Sequence, residues 1–293
     1  MNKSNEQKIG RQTARMRRET FGLFSLLLAL LLILSACGAK PADSASNRTG
    51  AGPGESEAGS AAAVTLTVSA AASLTDALAD IQAAYEEAHP NVKLEFNFGA
   101  SGALQQQIEQ GAPADLFLSA SSKNMQALVD GGFIEADQEK DWLSNTLVVV
   151  VPADSERAAA KIEDLSGEAA THVAIGIPDS VPAGKYAQEA LTNAGVWDAL
   201  GNKLVQGKDV RQVLQYVETG NAEAGFVYKT DALTSDRVKT AFEVEPGTYS
   251  PIRYPIGIVK ATKHPEAAQA FYDYLQTREA LDVLTKYGFS APQ

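Results

Sequence analysis

The stretch VTLTVSAAASLTDALADIQAAYEEAHP, residues 64–90, carries two hydrophobic periods in succession. Val64, Leu66 and Val68 alternate with Thr65 and Thr67, the two-residue period of a half-buried strand. From Ser73 the period lengthens, and Leu74, Ala77, Leu78, Ile81 and Tyr85 fall on one face of a helix that His89-Pro90 ends. A strand feeding an amphipathic helix is half of a strand–helix–strand unit, and Val92–Phe98 supplies the second strand.

Outward from this unit the alternation continues. A helix from Ser101 places Leu104 and Ile108 inward and stops at Gly111; Leu116-Phe117-Leu118 reads as a short buried strand; Lys123–Val129 is a helix closed by Gly131-Gly132. A second set begins at Leu147–Val151, an all-apolar run of the kind buried on both faces of a parallel sheet. Strands over 173–177, 203–205, 224–228 and 254–260 alternate with helices over 183–194 and 209–219, and 265–287 reads as one or two helices broken near Thr277. The pattern predicts an α/β protein with mostly parallel sheets and crossover helices, in two lobes with a cleft between them.

The residues before Val64 have a different composition. Residues 1–36 hold six basic and two acidic residues, a net of +4, so the formal −11 of the whole chain conceals −15 (19 basic, 34 acidic) over the rest. The fourteen uncharged residues Phe21–Leu34 match the apolar core of an export signal and fall short of the roughly 20 that a spanning helix needs. Leu34-Ser35-Ala36-Cys37 follows and resembles the bacterial lipobox, in which the cysteine is diacylated and becomes the new N-terminus. Residues 1–36 are therefore expected to be a lipoprotein signal peptide and Cys37 the lipidation site. Two acyl chains give a stable anchor where one is marginal. Of residues 38–63, 19 of 26 are Gly, Ala, Ser or Pro, which predicts a flexible tether of roughly 28 Å span.

Composition also sets exclusions. With an acidic balance the chain lacks the basic face that nucleic acid requires. One cysteine forbids an internal disulfide or a thiolate zinc cluster. His89 and His264 precede prolines at element boundaries, and His172 begins a strand; His-Glu-x-x-His, Gly-x-Ser-x-Gly and the phosphate-binding Gly-x-x-x-x-Gly-Lys-Ser/Thr are absent. The reading is of a protein that is not an enzyme and carries no cofactor.

What recurs instead is a set of small or hydroxyl residues where helices follow strands: Ala71-Ala72-Ser73-Leu74, Gly99-Ala100-Ser101-Gly102, Ser180-Val181-Pro182-Ala183-Gly184 and Lys208-Asp209-Val210-Arg211. Free N–H groups at helix starts suit an anion, and in open α/β sheets these positions face the binding crevice. Each is also explained locally: Ser73 with Asp76 as a capping pair, Ser101 as an N-cap, Pro182 as a first-turn proline, Asp209 as an N-cap, Tyr228 as half-buried packing. Lys185 and Arg211 read as surface or supporting charges.

Longer words tie these positions together. VSAAASLTDAL (68–78), GAPADLFLSA (111–120), NTLVVVVP (145–152), PDSVPAGKYA (178–187), GKDVR (207–211), GFVY (225–228) and FYDYL (271–275) stand in family order and resemble the molybdate-binding proteins of ABC importers over nearly the whole folded length. The resemblance implies the type II periplasmic-binding-protein fold: lobe 1 from 64–144 plus 252–293, lobe 2 from 145–251, with hinges near 143–147 and 246–254. It implies ligand contacts from the N–H and hydroxyl of Ser73 and Ser101, the N–H groups of Ala183 and Val210, and the Tyr228 phenol. Some relatives have a Ser-rich second motif, whereas here Ser101 is the only hydroxyl at its turn. The expected role is a monomeric, lipid-anchored extracytoplasmic protein that captures molybdate and tungstate for an ABC permease, holding molybdenum only as its oxyanion. A same-fold protein for sulfate or phosphate stays open as the alternative.

Overall fold

The structure, a computed structural model, describes residues 63–156, 159–168 and 170–292, all within one compact unit spanning residues 59–293. The expected signal peptide, Cys37 and nearly all of the tether lie outside the described residues.

Among the described residues, ten strands build two five-stranded sheets. The first contains β1 (Val64–Ala71), β2 (Val92–Gly99), β3 (Leu116–Leu118), β4 (Ile134–Ser144) and β10 (Arg253–Val259), in the order β2-β1-β3-β10-β4. The second contains β5 (Leu147–Pro152), β6 (Val173–Gly176), β7 (Leu204–Gly207), β8 (Ala224–Tyr228) and β9 (Val238–Glu243), in the order β7-β6-β8-β5-β9. The chain passes between the sheets twice, after Ser144 and between Glu243 and Arg253. The protein is thus an α/β fold of two lobes, one per sheet.

The strand directions correct the mostly parallel reading. In each sheet three strands are parallel, β2-β1-β3 and β7-β6-β8, and the other two pairings are antiparallel. The valine run of β5 is buried, as its composition requires, yet it runs antiparallel to both β8 and β9. An apolar run encodes burial on two faces, and strand direction is set by the connections. Two strands escape the periodicity reading altogether. β4, IEADQEKDWLS, and β9, VKTAFE, are edge strands, and edges carry charge because their outer side faces water.

The helices that matter for the site follow the central strand of each parallel trio and its outer neighbour. A 3-10 turn (Ala72–Leu74) and α1 (Thr75–Ala88) follow β1; α2 (Ser101–Glu109) follows β2; α4 (Pro182–Asn193) follows β6; α6 (Val210–Glu218) follows β7. Between them come α3 (Ser122–Asp130) and the short α5 (Trp197–Leu200), and the chain continues through α7 (Lys229–Ala232), α8 (Pro265–Tyr274) and α9 (Arg278–Lys286), the last capped by Thr277. α1 buries Ala77, Leu78, Ile81 and Tyr85, the face its sequence predicts.

α4 is seated by a backbone contact. Gly184 lies so close to Gly176 of β6 that a Cβ on Gly184 would stand 2.0 Å from the Gly176 carbonyl oxygen. Neither backbone can yield without moving the helix start off the sheet. Gly184→Ala is expected to destabilise the protein at the upper end of the about 1–3 kcal/mol typical of overpacking, read as a lowered urea midpoint at unchanged m-value.

Candidate functional site

The four strand-to-helix junctions converge on one small cavity. Its lining includes Ala71, Ala72 and Ser73 after β1, Gly99–Ser101 after β2, Val181–Ala183 before and within α4, and Val210 at the start of α6, with Ala120 and Tyr228 completing it. All five residues singled out in the sequence, Ser73, Ser101, Ala183, Val210 and Tyr228, line this space. The cavity volume is only about 10 Å³, room for a compact group and not for a sugar or an amino acid.

The N–H groups of Ser101, Ala183 and Val210 belong to first helical turns and have no intrahelical acceptor. Each helix start adds roughly half a positive charge from its dipole. None of the lining residues is acidic, basic or a histidine. The arrangement is a ring of neutral donors with a positive field, and no carboxylate faces it.

Two of the local explanations fail in the structure. Ser73 is not a cap: it lies inside the 3-10 turn, and its Oγ lies 2.8 Å from the Tyr254 hydroxyl. Ser101 is not an N-cap either. It is the first helical residue, wholly buried, and its Oγ accepts the Ala120 N–H at 2.9 Å, which leaves the hydroxyl proton free to point into the cavity. Asp209 does cap α6, accepting the Gln212 N–H at 2.8 Å.

The local explanation of Tyr228 fails as well. Instead of half-buried packing it is 1 % exposed, and its hydroxyl has no hydrogen-bond partner of regular geometry. Tyr254, whose ring lies 5.8 Å from it edge to face, has its own hydroxyl engaged by Ser73 and by Asn145 Nδ2 at 3.3 Å. Burial pushes the Tyr228 phenol well above its ordinary pKa, with Tyr254, Tyr186 and Asp231 adding to the rise, so it is a neutral donor at any physiological pH. A buried hydroxyl without a partner costs about 1–3 kcal/mol. It is tolerated here at the edge of a cavity.

The lobes meet around this space. The Gly102 N–H donates to the Ser180 carbonyl at 3.0 Å, and a Cβ on Gly102 would lie 2.7 Å from that oxygen, so only glycine lets the two helix starts approach. Tyr186 of α4 donates to the Ala120 carbonyl at 3.4 Å. At the first crossing Asn145 Nδ2 bridges Thr230 Oγ1 at 2.9 Å and the Tyr254 hydroxyl, tying both lobes to the connection. Lys185 is exposed, and Arg211 stands beside the site without lining the cavity. Tyr254, Ala120 and Asp231 escaped the sequence reading because their part depends on contacts distant in sequence.

Comparison with known proteins places this architecture. The family model for bacterial extracellular solute-binding proteins matches residues 66–290, and the chain belongs to that family, whose members bind solutes and are not enzymes. YvgL of Bacillus subtilis, provisionally named an ABC transporter substrate-binding lipoprotein, is 49 % identical over 271 residues, covering 92 % of this chain and 98 % of that one. The molybdate-binding protein ModA of Haemophilus influenzae is 41 % identical over 225 residues, covering 76 % and 88 %. The periplasmic molybdate-binding protein of Azotobacter vinelandii superposes with a TM-score of 0.71 at 24 % identity over 78 % of this chain and 100 % of that one, a likeness of fold.

The unpartnered phenol gives a stability test. Tyr228→Phe removes an orphaned hydroxyl, so the ligand-free protein is expected to be as stable as the parent or more stable by about 1 kcal/mol. Ser73→Ala, which breaks the bond to Tyr254, should instead lower stability by about 0.5–1.5 kcal/mol. Urea denaturation of both variants measures this.

Proposed function

We propose that the protein captures molybdate, and tungstate with it, in the cavity between the lobes and delivers it to an ABC importer. The observation that carries this reading is the Tyr228 hydroxyl, buried without a hydrogen-bond partner of regular geometry at a cavity ringed by helix starts and free of charged side chains. A dianion stripped of water needs many donors already in place to offset its desolvation. Ser73 and Ser101 would each give an N–H and a hydroxyl, Ala183 and Val210 an N–H, and Tyr228 its phenol. A bond from such a donor to a charged acceptor contributes about 1.5–3 kcal/mol. With no carboxylate at the cavity to receive an acid proton, a fully deprotonated tetrahedral oxyanion fits better than hydrogen phosphate. Among the described residues no group of three or more His, Cys, Asp or Glu is placed to hold a metal ion, so molybdenum would be held through its oxygens.

Two further parts of the reading concern placement and motion. The +4 leader, the apolar run and Leu34-Ser35-Ala36-Cys37 support export and acylation at Cys37, with the monomeric binding unit held at the outer face of the cell membrane by its lipid. No helix among the described residues is long and apolar enough to cross a membrane. The two crossings, after Ser144 and between Glu243 and Arg253, are the places where a hinge would open the lobes.

A thermal-shift panel of molybdate, tungstate, sulfate and phosphate tests the ligand, because only an anion that binds the native state raises the melting temperature. Molybdate and tungstate are expected to do so and phosphate is not; a shift with sulfate alone would refute the reading. In calorimetry Ser101→Ala should weaken molybdate binding by about 1.5–3 kcal/mol. Cys37→Ser is expected to move the protein from the membrane fraction to the medium or leave its signal uncleaved, as fractionation and mass measurement would show.

A further inference from the structure

A chain of three charged residues crosses the cleft beside the cavity. Asp231 lies three residues beyond Tyr228 with its side chain wholly buried. Its Oδ2 accepts the Tyr228 N–H at 3.2 Å, and its Oδ1 forms an ion pair with Arg211 Nε at 2.9 Å, the N–H not being aimed closely enough for a regular hydrogen bond. Arg211 directly follows Val210, and its Nη1 donates to Thr234 Oγ1 at 3.0 Å. Its Nη2 reaches across to Asp76, in the first turn of α1 and three residues after Ser73.

The partners of the guanidinium are therefore unequal. Asp231 and Thr234 belong to its own lobe, whereas Asp76 belongs to the other and is 43 % exposed at the cleft mouth. A groove lined by Thr75, Asp76, Lys208, Arg211, Gln212 and Thr234 brings solvent to that side. Burial raises the Asp231 carboxyl to about 6 while Arg211 pulls it down, so at neutral pH this buried group is ionised and needs its cation.

We propose that Arg211 is a positioning residue that latches the closed lobes: fixed in its own lobe by Asp231, it pairs with Asp76 across the cleft and slows ligand release without touching the ligand. The inference rests on the oxyanion-binding reading given above. A planar guanidinium already clamped on one edge loses little freedom on gaining a partner at the other. The same buried carboxylate receives the N–H of Tyr228, so the latch and a ligand-facing residue share one anchor.

Asp76 is the residue to change, since loss of Arg211 would strand Asp231 as a buried unpaired charge. Stopped-flow binding of molybdate compares the parent with Asp76→Asn and Asp76→Glu. Asp76→Asn should dissociate about three- to tenfold faster, in line with a partly exposed pair, with association changed less than about twofold. Asp76→Glu, which keeps the charge, should return dissociation to near the parent rate, and the urea midpoint of the ligand-free proteins should stay together. A parent-like dissociation rate in Asp76→Asn, or equal acceleration in both variants, would overturn the latch alone. A parent protein that binds none of the four oxyanions of the panel would overturn the oxyanion reading and the latch with it.

Discussion

Helix starts cannot satisfy their own first N–H groups, and this fold brings four of them to one point. The convergence follows from the matched order of the two sheets, β2-β1-β3-β10-β4 and β7-β6-β8-β5-β9. In each, the central strand of the parallel trio and its outer neighbour lead into the helices that end at the cavity. The two lobes thus offer equivalent sets of donors, Ser73 and Ser101 from one, Ala183 and Val210 from the other. No repeat is visible in the sequence because the equivalence lies in strand order and junction geometry. Donors supplied by backbone also explain how a protein of net charge −11 can present an anion with a favourable field. The field is local and dipolar, and the many surface carboxylates are screened at a distance.

Close approach is the second requirement, and glycine meets it twice. Gly184 lets α4 sit on β6, which fixes where the Ala183 N–H points; Gly102 lets the two lobes touch at Ser180. The first sets the geometry within a lobe, the second between lobes. Around them the polar side chains hold one another in place: Ser73 with Tyr254, Ser101 with the Ala120 N–H, Asp231 with Tyr228 and Arg211. The cavity is bordered by groups whose orientations are determined by neighbours outside it.

Much of this was legible in the sequence where a single segment carries the information. The helical face of residues 74–85 and the valine run of β5 encode burial directly, and the junction residues stand out because each follows a strand. Direction and edges were not legible. β5 reads the same whichever way its neighbours run, and β4 and β9 carry the charge that protects a sheet edge, which hides the strand in a polar pattern. Side-chain partners were the least accessible. Ser73 and Tyr254 are 181 positions apart, and Arg211 lies 135 positions from Asp76, so capping rules that see three residues ahead assigned Ser73 to the wrong neighbour.

The unpartnered Tyr228 hydroxyl has a consequence for how such a protein is read by others. An empty cleft that closes leaves that phenol, and the helix-start N–H groups beside it, without acceptors in a place water scarcely fills. Were the cleft to open while empty, water would serve them all. The cost of closing on nothing therefore falls on the unoccupied form and is relieved by a guest with acceptor atoms. Shape then becomes a signal of occupancy, and a membrane partner that recognises only closed lobes would be presented with few false arrivals.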